Sequence, residues 1–330
     1  MGLFPRSAKV HVHVEQPTLL PGDTVTGVVT LEVLQAIDVQ ELLITLEGKE
    51  HLKWEETSGD SSSTYHRYHD LFSLATRCQV HATLIPGETS YPFSFQLPHG
   101  IPASFEYKNP GVRLLDWVEV RTEYKVTAEV TRNGRLTWSL TGSADLTVQP
   151  TAESLRVFLD SKPASALASQ IVRAMGLFKR GQCHARVDLR SDVIPLGSEI
   201  KLTAFVDNDS AQKIKDVRVI LYEDCVIDQE PTSGKRIERG TRRVIERKMP
   251  PEHVNGIVNG KPIALTLPLS EVDKMSPNMS SHFIQSLSYR LAVEVSLSLS
   301  SRVKVDVPIR VVHKDHVGIS APTTKLQCLG

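Results

Sequence analysis

Apolar and polar residues alternate along most of this chain. Lys9-Val10-His11-Val12-His13-Val14-Glu15 puts three valines on one face and the histidines and flanking charges on the other. The same period of two runs through Thr24–Val33, Glu119–Val130, Lys215–Tyr222 and Ser301–Val307. Successive side chains of a strand point to opposite faces, so this pattern predicts half-buried strands of antiparallel sheets. Turn signals break the runs at short intervals, at Pro21-Gly22-Asp23, Pro86-Gly87, Pro98-His99-Gly100, Asn133-Gly134 and Asn259-Gly260. Arg132-Asn133-Gly134-Arg135 between two alternating runs predicts a two-residue hairpin. Many short strands with regular turns predict an all-β fold of sandwiches. One segment departs from the pattern. Leu167, Ile171, Ala174, Met175 and Phe178 fall at helical spacing, followed by Lys179-Arg180, which suit a helix C-terminus. A helix is expected over 164–178, as a linker packed on a sandwich or, alternatively, as an element lying on a membrane surface.

The two halves echo each other. Leu20–Val29 parallels Pro195–Ala204, Tyr91–Pro98 parallels Pro262–Pro268, and Arg121–Val130 parallels Ser286–Val295. One order of elements occurring twice predicts two related sandwiches in tandem. The expected boundaries are a first domain over 1–150, a linker over 151–182, a second domain over 183–314 and a short tail over 315–330. At 330 residues the chain gives each domain enough length to bury a core without metals or disulfides.

Charge changes this picture in one respect. The whole chain is neutral, with 38 Lys+Arg and 38 Asp+Glu, yet residues 1–150 hold 12 cations and 18 anions. The second half is therefore basic, and an anionic partner is expected to meet it there. Four cysteines make no disulfide framework. The N-terminal Met-Gly-Leu-Phe-Pro-Arg-Ser has no apolar signal core, and Arg6 stands where N-myristoylation needs Ser or Thr. The C-terminal Cys-Leu-Gly is one residue short of a prenylation box. No run of 18 apolar residues is present, so no membrane span is expected and the expected location is cytoplasmic.

The ordered motifs bring a family into view. Pro21-Gly22-Asp23 leading to Gly27-Val28-Val29, then Leu42–Glu50, form the first part. Ile85-Pro86-Gly87-Glu88 before Tyr91–Pro98, and Ile101-Pro102-Ala103-Ser104-Phe105-Glu106, are its most specific pieces. Tyr289-Arg290-Leu291 and Val307-Pro308-Ile309-Arg310-Val311-Val312 close the second part. From about residue 8 to 314 the chain resembles the arrestin-like proteins, most closely the arrestin domain-containing (α-arrestin) branch. The resemblance implies two tandem antiparallel β-sandwiches of arrestin type, with immunoglobulin-like architecture. It also implies a non-enzymatic adaptor or scaffold in sorting, endocytosis or endosomal trafficking, whose partners are membrane-protein cytoplasmic tails or sorting-complex subunits. The α-arrestin branch usually recruits HECT-type ubiquitin ligases through Pro-Pro-x-Tyr motifs. The nearest match here is Pro250-Pro251-Glu252-His253, and histidine fills a WW-domain aromatic pocket poorly, so direct ligase recruitment is doubtful. That departure supports a second reading, a scaffold similar to the arrestin-like subunit of retromer.

Among candidate sites, the sharpest is Lys235–Lys248, with seven cations against two anions. Its Lys235, Arg236, Arg239, Arg242 and Arg243 are candidate ligands for a phosphate or an anionic lipid surface, because guanidinium forks grip phosphate oxygens in pairs. The alternative is a solvated hairpin whose cations protect an edge. Nucleic acid is not expected, since the patch lacks interleaved aromatics. No nucleophile elbow, phosphate loop, dinucleotide fingerprint or zinc-protease motif occurs, and no catalytic residue, cofactor or metal is assigned. His66, His69, Cys78 and His81 form the one cluster on which a metal-dependent enzyme could rest, but their spacing fits no zinc framework and a solvated loop is expected. Leu43-Ile44-Thr45-Leu46-Glu47 fits a clathrin-box pattern, yet it lies in an expected strand whose leucines belong to a core.

Overall fold

A computed structural model describes residues 8–109, 111–112, 115–133, 139–150, 160–174, 178–210, 212–231, 236–272, 275–298 and 301–313. The chain forms two compact units. The first comprises Met1–Ser154, Gln229–Ser233 and Ser281–Phe283; the second comprises Leu155–Asp228, Gly234–Ser280 and Ile284–Gly330.

In the first unit, β1 (Ala8–Val14), β3 (Thr24–Val33) and β7 (Gly87–Gln96) form a three-stranded antiparallel sheet in the order β1-β3-β7. Facing it is a seven-stranded sheet. Its path runs β2 (Thr18–Leu19), β10 (Leu140–Val148), β9 (Trp117–Arg132), β4 (Ile37–Ser58) and β5 (Ser61–Cys78); β6 (Thr83–Leu84) joins β4, and β8 (Phe105–Asn109) joins β9. Alternation does what it predicts. Val25, Val29 and Leu31 of β3, Ile44 and Leu46 of β4, and Val126, Ala128 and Val130 of β9 meet in one buried core. Ile44 and Leu46 stand in a strand paired on both sides, by β5 and β9. Within the clathrin-box segment Ile44 and Leu46 are thus core, whereas Leu43, expected there too, is only half-buried on the other face. The turn after Asn133 lies outside the described residues from 134 to 138.

The second unit has a four-stranded sheet, β11 (Ala164–Ala174), β12 (Phe178–Leu189), β14 (Glu199–Asn208) and β17 (Pro262–Pro268), in that order. Its second sheet has five strands in the order β13 (Val193–Pro195), β19 (Arg302–Val312), β18 (Ile284–Leu297), β15 (Ile214–Asp228) and β16 (Ile237–Lys248). The topology repeats that of the first unit. Strand β13 runs parallel to β19 as β2 does to β10, and the order β19-β18-β15-β16 matches β10-β9-β4-β5. The internal echoes of the sequence fall on corresponding strands: β3 with β14, β7 with β17, β9 with β18. In its four-stranded sheet the second unit adds β11, which has no counterpart strand among the described residues of the first.

That added strand corrects the sequence reading. Of the helix expected over 164–178, Ala164–Ala174 is instead β11, which pairs antiparallel with β12 from Ala164↔Leu189 to Ile171↔Gln182, while 175–177 lie outside the described residues. A helix would have turned Leu167 and Ile171 inward together. In the strand both point outward, while Val172 is buried. Ladder pairing with a neighbouring strand outweighs the weak helical preference of this Ala- and Ser-rich run. Residues from Ala164 onward, expected within a linker, therefore belong to the second unit's sheet.

Candidate functional site

The basic segment becomes β16, the edge strand of the five-stranded sheet. Strand geometry then divides its cations between two faces. Arg242 lies opposite Glu223 of β15, which in turn lies opposite Tyr289 of β18. Glu223 shares its face with Leu221 and Cys225, which are buried, and its own carboxylate is fully buried. Arg242 answers that charge with two N–H groups, Nε at 3.2 Å and Nη2 at 2.9 Å from the two carboxylate oxygens. The Tyr289 hydroxyl lies 3.0 Å from the same carboxylate and 2.7 Å from the Ser276 carbonyl oxygen. Burial, and then the neighbouring Glu223 charge, push the Tyr289 hydroxyl well above its ordinary pKa, so it stays protonated and donates. Arg242 is thus a structural cation of the inner face.

On the opposite face, Arg243 stands directly across from Tyr222, and Arg239 across from Val226. Both arginines are exposed. Arg243 pairs with Glu246, whereas no carboxylate among the described residues lies within ion-pair distance of Arg239. Tyr222 carries two more cations. The Arg290 guanidinium lies 4.3 Å and the Lys304 ammonium 4.6 Å from its ring centroid. Arg290 also bonds Asp224 at 2.9 Å and Asp306 at 2.7 Å, and Lys304 lies 3.2 Å from the same Asp306, so two carboxylates balance these two cations locally. The outer face therefore offers Arg239, Arg243, Arg290 and Lys304 around one tyrosine, a mixed but cation-bearing surface. Such a surface can hold an anion through spread charge.

Of the five residues proposed from sequence, the structure brings Arg239 and Arg243 to one face, puts Arg242 on the other, and leaves Arg236 exposed just before the strand. Lys235 lies outside the described residues. Tyr222, Arg290 and Lys304 were not found from sequence, because they sit on three different strands that only sheet register aligns. A partial signal was present: Tyr222 and Arg290 each stand one residue off the apolar period of their strands.

The histidine cluster takes a different form from the expected loop. His66 and His69 lie in strand β5, not in a solvated loop, since the long hairpin with β4 continues to Ser58↔Ser61. His66 Nδ1 lies 2.9 Å from His51 Nε2, while His69 stacks on His282 with ring centroids 3.6 Å apart. That histidine belongs to Ser281–Phe283, a segment of the first unit held by the buried Glu50 carboxylate. Glu50 accepts bonds from the Ser281 hydroxyl at 2.7 Å and the Phe283 N–H at 2.9 Å. No group of three potential metal ligands converges among the described residues. Pro250-Pro251-Glu252-His253 is also folded: Pro251–Asn255 is a short helix, α1, so this segment does not present an extended polyproline ligand. Among the described residues no helix is long and apolar enough to cross a membrane.

Two antiparallel sandwiches of repeated topology define an all-β two-domain protein. Residues 9–141 match the family model described as arrestin (or S-antigen), N-terminal domain, and residues 179–316 match the arrestin (or S-antigen), C-terminal domain. These matches cover most of the chain, and it belongs to the arrestin family. Proteins of this family are in general non-enzymatic adaptors that bind membrane-protein tails.

Proposed function

We propose that this protein is an adaptor that links the cytoplasmic tails of membrane proteins to sorting or endocytic machinery, working at the surface of an endosomal or plasma membrane. Family membership supports the adaptor part. The observation that carries the membrane part is the outer face of the second unit, where Arg239 and Arg243 flank the Arg290–Tyr222–Lys304 cluster. Exposed guanidinium groups suit phosphate oxygens of an anionic headgroup, and each cation near an anionic surface contributes about 1 kcal/mol. Direct recruitment of a ubiquitin ligase is no part of the proposal, because helix α1 takes up the nearest proline motif. The same observation favours a second reading, a scaffold subunit of a retromer-like sorting complex.

Proximity labelling in cells tests both. Enrichment of plasma-membrane receptors and transporters is the expected result for the first reading, and a stable set of sorting-complex subunits for the second. A labelled set without membrane proteins or trafficking components overturns the adaptor proposal.

A further inference from the structure

Between Lys235 and Lys248 the basic segment holds a single hydroxyl, that of Thr241. Strand β16 carries it on the outer face, two residues from Arg239 and two from Arg243, directly opposite Asp224 of β15. Thr241 is exposed, and its hydroxyl donates to one oxygen of Asp224, whose other oxygen accepts from Arg290. The strand is an edge, paired among the described residues by β15 alone. Gly240 stands just before the threonine, and a bulge interrupts the ladder just beyond Arg243, where Ile245 is the next paired residue. Both features weaken the hold of this stretch on its neighbour.

We propose that Thr241 is a phosphorylation site for an arginine-directed protein kinase, and that its phosphate switches the anion-binding face off. The inference rests on the membrane reading of that face and adds its regulation. The recognition chemistry lies in the segment itself. An extended, exposed hydroxyl sits between Arg239 and Arg243 on its own face, with Arg236 further ahead, a charge pattern that complements an acidic kinase cleft. In the transfer, the Thr241 oxygen bonds to the γ-phosphorus of ATP while the bond from that phosphorus to the β–γ bridging oxygen breaks. ADP leaves, and the hydroxyl proton passes to a base of the kinase. Charge arithmetic gives the consequence. Around Tyr222, Arg239, Arg243, Arg290 and Lys304 face Asp224, Glu246 and Asp306, four cations against three carboxylates. A phosphothreonine adds about −1.5 to −2, which turns this narrow positive margin negative. It also stands about 6–7 Å along the strand from Arg239 and from Arg243, within reach of both guanidinium forks. The arginines that would hold a lipid phosphate then hold the protein's own.

Two measurements on the full chain test the switch. In the first, the folded protein is incubated with Mg-ATP and the catalytic fragment of protein kinase C, and its phosphopeptides are mapped by mass spectrometry. Phosphate on residue 241 is expected in the wild type and in Thr241→Ser, and is expected to be absent from Thr241→Val. Modification confined to other residues, or none at all, overturns the proposal. In the second, phosphorylated and unmodified protein are co-sedimented with phosphatidylcholine vesicles containing phosphoinositide. Phosphorylation is expected to weaken binding about tenfold or more, and kinase-treated Thr241→Val to bind as it does untreated. Melting temperature is the folding control, with Thr241→Ser keeping a hydroxyl to donate to Asp224. Binding that is unchanged by phosphate on Thr241 overturns the switch and leaves the membrane reading standing. Unmodified protein that ignores the vesicles overturns both.

Discussion

Arg242 and Arg243 are adjacent in the chain, and strand geometry sends them to opposite sides of one sheet. Their substitutions are expected to differ accordingly. Arg242→Ala leaves a fully buried Glu223 carboxylate without its bidentate partner, and breaking such a pair costs about 3–5 kcal/mol. Arg243→Ala removes one exposed pairing with Glu246 and should cost under about 1 kcal/mol. Urea unfolding of the two variants, followed by tyrosine and tryptophan fluorescence, measures the contrast; equal midpoints contradict the two-face assignment. Asp192 gives a pH-dependent case. Burial alone would raise its pKa, but the Lys162 N–H at 2.9 Å and the Arg310 guanidinium at 2.8 Å hold the carboxyl below the ordinary range. The native state then binds fewer protons there than the unfolded chain, whose Asp titrates near pH ~3.9. The contribution is full above that range and is lost as the pH falls through the lower native value. Asp192→Asn is expected to lower stability at neutral pH by about 1 kcal/mol, and to lower it progressively less as the pH falls below ~4. A stability difference between wild type and D192N that holds constant from pH 6 to pH 3 contradicts it.

At the scale of elements, β1 and β10 make the test. A methyl group built on Gly142 of β10 would sit on the Val10 carbonyl of β1, so these backbones approach as closely as glycine allows. Gly142→Ala is expected to destabilise the first unit by about 1–3 kcal/mol, the usual cost of overpacking, as read by the thermal midpoint. An unchanged midpoint means that β1 shifts freely. Strand identity was largely legible in the sequence, since Thr24–Val33 and Glu119–Val130 bury the very residues their alternation assigns inward. The segment 164–178 was not. Its apolar residues fit a helical period, and only the ladder with β12, distant information for a local pattern, turns Leu167 and Ile171 outward. The basic run was read correctly as cationic but not as two-faced. Its bulge beside Leu221 and the buried carboxylate of Glu223 decide which arginines reach solvent, and neither is visible within the run itself.

For the whole molecule, the acidic first half and basic second half give the prediction its sign. Vesicles containing phosphoinositide should co-sediment the protein, and binding should fall steeply from low to physiological salt, where the Debye length is ~8 Å. Arg239→Gln with Arg243→Gln should remove most of the binding and leave the melting temperature nearly unchanged. Equal binding by the double variant means that the outer face does not touch lipid. The two-unit architecture was legible from the repeated order of motifs, because topology repeats with it. The candidate face was legible only in part, because Tyr222, Arg290 and Lys304 come from separate strands. The buried Glu223 also bears on how the second unit assembles. Edge strand β16 offers arginine at 239, 242, 243 and 247, so a chain sliding along β15 meets several pairings of similar backbone quality. Burial of one carboxylate makes those pairings unequal, since only a cation on the inward face beside Tyr289 satisfies it and a one-residue slip reverses every side chain. A charge that adds little net stability thereby acts as a key for strand alignment, and Glu223→Gln would trade that discrimination for a more permissive edge.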